Sequence, residues 1–515
     1  MQKKQVKTLR LILGDQLNDR HSWFKQVNPD VIYCMMEIRS ETDYVKHHIQ
    51  KVIGFFAAMR CFSDAIKQQG HQVIYLKIDD PANRQTFTRN ILYLIETEGI
   101  DRFEYQEADE YRVEVELNQL CTLLPVPSDK TCSEHFFTER DAMQELFPGQ
   151  EKIVMESFYR MLRRKHNILM EGTKPLFGQW NFDQQNRKKL PAAEQPPEPL
   201  LFQHDVRAIY ASIQEAGIET MGSVNPANFT WPLNREESLR LLSYFIQHGL
   251  KKFGTYQDAM TTSSWAVYHS RLSFSLNVKL LDPLEVIQQA VAAYTQQPEE
   301  IAYNQLEGFV RQILGWREYM RAMYWKLMPD FSFMNFFQHQ RALPTWFWNG
   351  KTQMRCLHHA IQQSLEQAYA HHIQRLMLTG NFLLLAEIAP DEVDAWYLGI
   401  YMDALEWVEI TNTRGMSQYA DGGLIATKPY ISSAAYIQKM SSYCSGCYYL
   451  PEQKIGERAC PMNSLYWRFL HQHQDKLQKN PRMAMMYQVW NKMTPDTQQE
   501  LLTQANAYLT NIENL

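Results

Sequence analysis

The segment WYLGIYMDALEWVEITNTRGMSQYADGG, residues 396–423, sets the reading of this chain. Its apolar and aromatic residues recur at spacings of three and four, the pattern of a helix with one buried stripe. Asp403, Glu406 and Glu409 stand at every third position, on what would be one face, and a Gly-Gly pair closes the run. The same period runs upstream through ESLRLLSYFIQHGL, DPLEVIQQAVAAYTQ, EGFVRQILGWREYMRAMYWKL and HHAIQQSLEQAYAHHIQRLML. From residue 237 onward the sequence therefore predicts a large all-helical domain.

The other end of the chain has a different rhythm. TLRLILG (8–14), VIYCMME (31–37), QVIYLKI (72–78) and FEYQEA (103–108) alternate with helical stretches near 45–67 and 85–97. That alternation predicts an α/β domain over 1–135, built on a doubly wound parallel sheet. Ligands of such sheets sit at the carboxyl ends of the strands, which makes Gly14, Asp15, Gln16, Glu37 and Glu41 candidates. No G-x-G-x-x-G follows the first strand, so a conventional dinucleotide site is not expected there. Between the two domains, 136–236 reads as a linker, with the proline-rich stretch PAAEQPPEP at 191–199.

A chain of 515 residues exceeds one core, in keeping with this division. It has no run of 18 apolar residues and no signal-peptide pattern, so a cytoplasmic protein without a membrane span is expected. Net charge is −5, which alone argues against a nucleic-acid partner. Its distribution points the other way. Arg160, Arg163, Arg164, Lys165, Lys174, Arg187, Lys188 and Lys189, against Glu171 and Asp183, make a local +6 on a chain that is otherwise −11. Such an island suits phosphate contact, and a solvated linker face reads the same way.

Four cysteines lie in the last third as C-x87-C-x2-C-x12-C: Cys356, Cys444, Cys447 and Cys460, the last before a proline. This spacing favours an iron–sulfur cluster over zinc, whose four-cysteine sites usually come as two C-x2-C pairs. Unligated core cysteines are the third reading. Cys34, Cys61, Cys121 and Cys132 are scattered, as in a reduced compartment. Three constellations precede the opening segment. HSRLS (269–273) can offer hydroxyls and N–H groups to a pyrophosphate, as it could also form an ordinary cap. Glu307, Arg311, Trp316 and Arg317 share one predicted helix, and the tandem His371–His372 is followed by Arg375 and Asn381.

Taken in order, H-S-x-L-S, G-W-R-E-Y, HHIQRLM, NTRGMSQYADGG, TKPY and YCSGC…CP resemble the iron–sulfur bacterial (6-4) photolyases of the photolyase/cryptochrome superfamily. LGDQL at 13–17, EADEYR at 107–112, and YRMLRRK with GQWNFDQQNR in the linker extend the resemblance over almost the whole chain. It implies light-driven repair of (6-4) photoproducts in UV-damaged DNA, or, in the sensor branch, a blue-light photoreceptor without repair.

The implied cofactors are FAD, a [4Fe-4S] cluster on the four cysteines and a 6,7-dimethyl-8-ribityllumazine antenna in the α/β domain. The resemblance places Ser270, Leu272 and Ser273 at the FAD diphosphate, Arg375 and Asp403 beside the isoalloxazine, and Glu409 opposite its N5. His269, Glu307, Trp316, Arg317, Asn381 and Glu406 complete the candidate cofactor wall. Trp396, Tyr397 and Trp348 would carry electrons. Tyr430, His371 and His372 would line the lesion pocket, with His372 as proton donor. Arg163, Arg164, Lys165 and Arg187 would hold DNA phosphates, and a monomer is expected.

Overall fold

The computed structural model describes residues 6–150 and 152–515. Its first layer is a five-stranded parallel sheet: β1 (Thr8–Leu11), β2 (Val31–Met36), β3 (Gln72–Leu76), β4 (Arg102–Gln106) and β5 (Ser128–Thr131). The strand order is β3-β2-β1-β4-β5. Parallel neighbours need crossovers, supplied by helices α1 (Ile49–Gln68), α2 (Phe87–Glu98) and α3 (Tyr111–Leu123). The VIYCMM strand is apolar throughout because both its faces are covered. The final strand, SDKT, is polar and carries no hydrophobic signal; it forms by pairing with Phe103–Gln106.

The 136–236 segment is more ordered than a linker. Helix α4 (Met155–His166) buries Phe158, Tyr159 and Leu162 in the helical domain. Helix α5 (Arg207–Glu215) buries Ile209 and Ile213 against the sheet domain. The proline-rich stretch between them has no helix or strand, so the segment braces both domains.

Beyond Asn234, whose side chain accepts the Glu237 N–H at 2.9 Å, the chain is helical. Two expected continuous helices are broken. One ends at Gln367, turns at Ala368 (φ +50°) and restarts at His372. Another ends at Ile400, and the next begins at Glu406. Asp403 thus lies between helices, and Asp403, Glu406 and Glu409 do not share a helical face. Four helical runs pass through π-type turns, at Phe245–Gly249, Arg311–Arg317, Arg375–Gly380 and Thr411–Ser417. Each extra residue turns the downstream side chains about the helix axis, and such bulges concentrate at functional sites.

The domains meet at the reversal of strand order between β1 and β4. Buried Lys279 of the helical domain inserts its ammonium there, donating to the Asp15 carbonyl (2.7 Å) and to Asp109 Oδ2 (2.6 Å). Nearby, Gly54 of α1 lies under Met402, whose Cε leaves no room for a Cβ. Among the described residues, no helix is long and apolar enough to cross a membrane.

Candidate active site and cofactor cavities

The last three of these π-type turns line a cavity of about 600 Å³ in the helical domain. A volume of that size suits a dinucleotide-sized ligand. At its centre Arg375 donates from Nη2 to both Asp403 oxygens (2.9 and 3.2 Å) and from Nε to the Ala370 carbonyl (2.7 Å). Its guanidinium lies 3.7 Å over the Tyr401 ring, and Glu409 stands 3.7 Å from Nη1. Burial pushes the Glu409 carboxyl up to about 7 despite Arg375. Ser273 donates to Asp403 Oδ2 at 2.5 Å, so its hydroxyl proton is already engaged.

Ser270, Leu272, Trp316 and Arg317 line the same walls. Arg317 sits between the Phe136 and Trp407 rings, with its Nη2 against His135 at 3.0 Å. Its Nη1 lies 3.5 Å from Glu318 Oε1, while its Nε is buried without a hydrogen-bond partner, as are His269 Nε2 and both ring nitrogens of His371. Unpaired buried polar atoms around one cavity are costly unless a ligand satisfies them. These residues therefore fit a polar cofactor such as FAD.

His371 and His372 line another part of this cavity, with Tyr430 and the linker residue Arg187. His269 and His371 stack with centroids 4.5 Å apart. The His372 ring is open to the cavity. Burial among the surrounding walls, then Arg375 and Arg187, hold its pKa at about 4, so it is neutral at pH 7. Arg187 pairs with Asp183 (2.6 Å) and approaches Asp258 (3.7 Å). The Asp258 carboxyl, pushed up to about 6 by burial, was not legible in the sequence because it follows no motif. Tyr369 also lines the wall without a sequence signal, and so does Asn412, the first residue of the NTRGMSQYADGG motif, which had no role assigned to it.

Three candidates fall outside the cavity. Glu307 accepts from the Tyr159 hydroxyl and the Phe182 N–H, tying the linker down. Asn381 clasps the backbone of Ser432. Glu406 accepts from the Tyr324 hydroxyl at 2.5 Å and faces Glu110, which contributes after burial to raising its pKa to about 7. Tyr397 lines the cavity and packs on buried Trp396 (5.2 Å), which packs on Phe347 (5.1 Å). Trp348, the next residue, is 41% exposed.

Arg163 requires a correction. It is fully buried, donating to the carbonyls of Ile168, Leu169 and Trp180 and to the Tyr303 hydroxyl, so it cannot reach a phosphate. Arg164 and Lys165 are exposed, as is Arg187.

A second cavity, of about 100 Å³, opens beside the carboxyl ends of β1 and β2 and is lined by Gly14, Asp15, Glu37 and Glu41. Gln16 is not in its wall: its amide accepts from the Leu13 N–H and donates to the carbonyls of Gln106 and Glu107. Glu37 is held by Arg60, Tyr75 and the Ile78 N–H, and Glu41 by both terminal nitrogens of Arg112. Tyr44, His47 and Lys51, which carry no signal in the sequence, complete the polar lining with Arg112 of the EADEYR motif.

Cys356, Cys444, Cys447 and Cys460 converge on a third, small pocket, walled by Tyr443 and Tyr449. Burial and the three other thiols raise the Cys356 pKa well above its ordinary value. Apart from this pocket, His339, Glu387 and His473 bring three ligand atoms within 4.8 Å of one another.

Residues 10–229 match the family of deoxyribodipyrimidine photo-lyase-related proteins. The fold resembles a bacterial class III photolyase from Agrobacterium tumefaciens (TM-score 0.56, 17% identity, 83% of this chain and 82% of that one). It also resembles a cryptochrome from Synechocystis (TM-score 0.51, 12% identity, 81% and 82%). Sheet domain and helical domain thus have the fold seen in photolyase and cryptochrome structures. A (6-4) photolyase from Agrobacterium fabrum is 39% identical over 98% of this chain and 99% of its own length, and the chain belongs to the (6-4) photolyase family.

Proposed function

We propose that this protein is a flavin-dependent DNA repair enzyme that uses light to reverse (6-4) pyrimidine–pyrimidone photoproducts. The observation that carries this reading is one cavity joining the Arg375–Asp403–Glu409 charge cluster to His371, His372 and Tyr430. Ser270, Leu272, Trp316, Arg317, Arg375 and Asp403 would hold FAD. Bound and reduced, FAD would lend one electron to the lesion on absorbing blue light and recover it once the two bases part, so that the repair is redox-neutral. Arg375 keeps a fixed positive charge in the wall, anchored by Asp403, while Glu409 is the neighbouring group able to change its charge near neutral pH. His372 provides the proton that allows the transferred group to move back. Its ring is neutral in the free protein, and the negative charge of bound DNA is what draws a proton to it from solvent before the lesion is reduced. A damaged base pairs poorly, so turning it out of the stack toward these histidines costs little. Arg164, Lys165 and Arg187 would grip the backbone.

The four thiols would hold a [4Fe-4S] cluster. The C-x87-C-x2-C-x12-C spacing, one pair and two singles, supports this group over zinc, whose four-cysteine sites usually come as two C-x2-C pairs. The sheet-domain cavity would take 6,7-dimethyl-8-ribityllumazine: it lacks a phosphate-gripping glycine loop and offers Tyr44, Lys51 and Arg112 to a polar heterocycle. We keep the division at 1–135, 136–236 and 237–515, with the middle part as a two-helix brace. The eight free thiols support a reduced, cytoplasmic location, and we expect a monomer. The test is repair of an oligonucleotide with one defined (6-4) lesion by anaerobically purified protein under blue light. Flavin photoreduction without repair would overturn this reading in favour of a light sensor. Stoichiometric zinc in place of iron would overturn the cluster.

A further inference from the structure

Gln374 stands between two sites that the sequence keeps far apart. It is buried in the first turn of the helix that His372 opens and directly precedes Arg375. Its Oε1 accepts the His371 backbone N–H at 3.1 Å. Its Nε2 donates to the Tyr443 hydroxyl, also at 3.1 Å. Reciprocal amide bonds with Gln363, at 2.9 and 3.0 Å, leave its side chain little freedom. Tyr443 is equally buried, forms a wall of the four-cysteine pocket and immediately precedes Cys444. The His359 ring stacks on it, centroids 5.6 Å apart and planes 20° apart. A short, fully buried route thus leads from the cysteine loop through Tyr443 Oη and Gln374 to the backbone that carries His371 and His372.

We propose that Tyr443 is a positioning residue for the histidine pair: the cysteine loop sets the aim of His372 through the Tyr443–Gln374 hydrogen bond. The inference rests on the repair reading above. It gives the cysteine pocket a task in catalysis that needs no electron from it. His371 is the first residue before its helix, so a shift of its N–H anchor rotates the next side chain directly. Proton transfer tolerates little misplacement, and an error of ~1 Å can cost about a hundredfold in rate.

Tyr443→Phe keeps the ring and removes the acceptor. We expect it to retain parental iron, FAD content, flavin photoreduction and lesion affinity in the dark. Repair under saturating light should fall by about tenfold with a displaced pH profile, a partial form of the loss that misplacement causes. In the dark, the rate at which diethyl pyrocarbonate modifies His372, read by peptide mass, should change. Gln374→Met breaks the same link from the other end, away from the cysteines, and should reproduce both results. Parental repair, pH profile and His372 reactivity in either iron-replete variant would overturn the inference, as would loss of flavin photoreduction in parallel with repair. If Tyr443→Phe loses iron, Gln374→Met decides alone. Absence of repair in the parent protein would instead overturn the functional reading.

Discussion

Arg163 and Arg164 are neighbours in sequence with opposite environments. Arg163 follows Tyr159 by one helical turn and shares the buried face of α4, where three carbonyls and a hydroxyl take its protons. Arg163→Ala should leave those carbonyls unpaired and cost about 3 kcal/mol of stability, read from denaturant unfolding. Arg164→Gln with Lys165→Gln should leave stability unchanged, weaken binding of damaged and undamaged DNA alike, and reduce its salt dependence. A count of charges could not separate these residues; helical phase, with Phe158, Tyr159 and Leu162 marking the inner face, could have. His372 carries a second prediction. Its pKa, about 4 in the free protein and below the usual 6.5, should rise beside anionic DNA. Lesion binding should then take up a proton and tighten as pH falls from 7.5 to 6, measured by calorimetry in buffers of different ionisation enthalpy. His372→Ala should remove that uptake and abolish repair while FAD stays bound and photoreducible.

At the scale of elements, the sequence showed helices but not their breaks. Regular spacing of Asp403, Glu406 and Glu409 suggested one face, yet the chain leaves helical geometry between Ile400 and Glu406. This sends Asp403 and Glu409 to Arg375 and Glu406 to Tyr324. The π-type turns were equally silent, since an inserted residue shifts the phase without changing composition. The motifs located the cavity because its residues cluster locally in sequence, Asn412 of NTRGMSQYADGG among them; Asp258 reaches it through tertiary folding alone. Two π-type turns touch at Gly380, where a Cβ would lie 2.2 Å from Ser417 Oγ and 2.7 Å from the Arg375 carbonyl. Gly380→Ala should force these turns apart, costing about 2 kcal/mol and lowering flavin content per chain, read by thermal melting and absorbance.

At the scale of the molecule, the two domains are joined where the sheet would otherwise present its open crevice. Lys279 fills that point and is matched by Asp15 and Asp109. Lys279→Met should strand two carboxylates in a buried site, destabilising the protein by about 3 kcal/mol and exposing the interdomain segment to protease. Few signals in the sequence announced this contact, because its partners lie 264 and 170 residues from the lysine. The consequence reaches beyond stability. Resonance transfer between two pigments depends on the angle between their transition dipoles as well as on their separation. With the proposed antenna and flavin in their cavities, a buried charge lock at the seam, reinforced by a brace helix on each side, would make that angle a constant of the fold, so the efficiency of light harvesting would be set during folding and not by thermal wandering of one domain against the other.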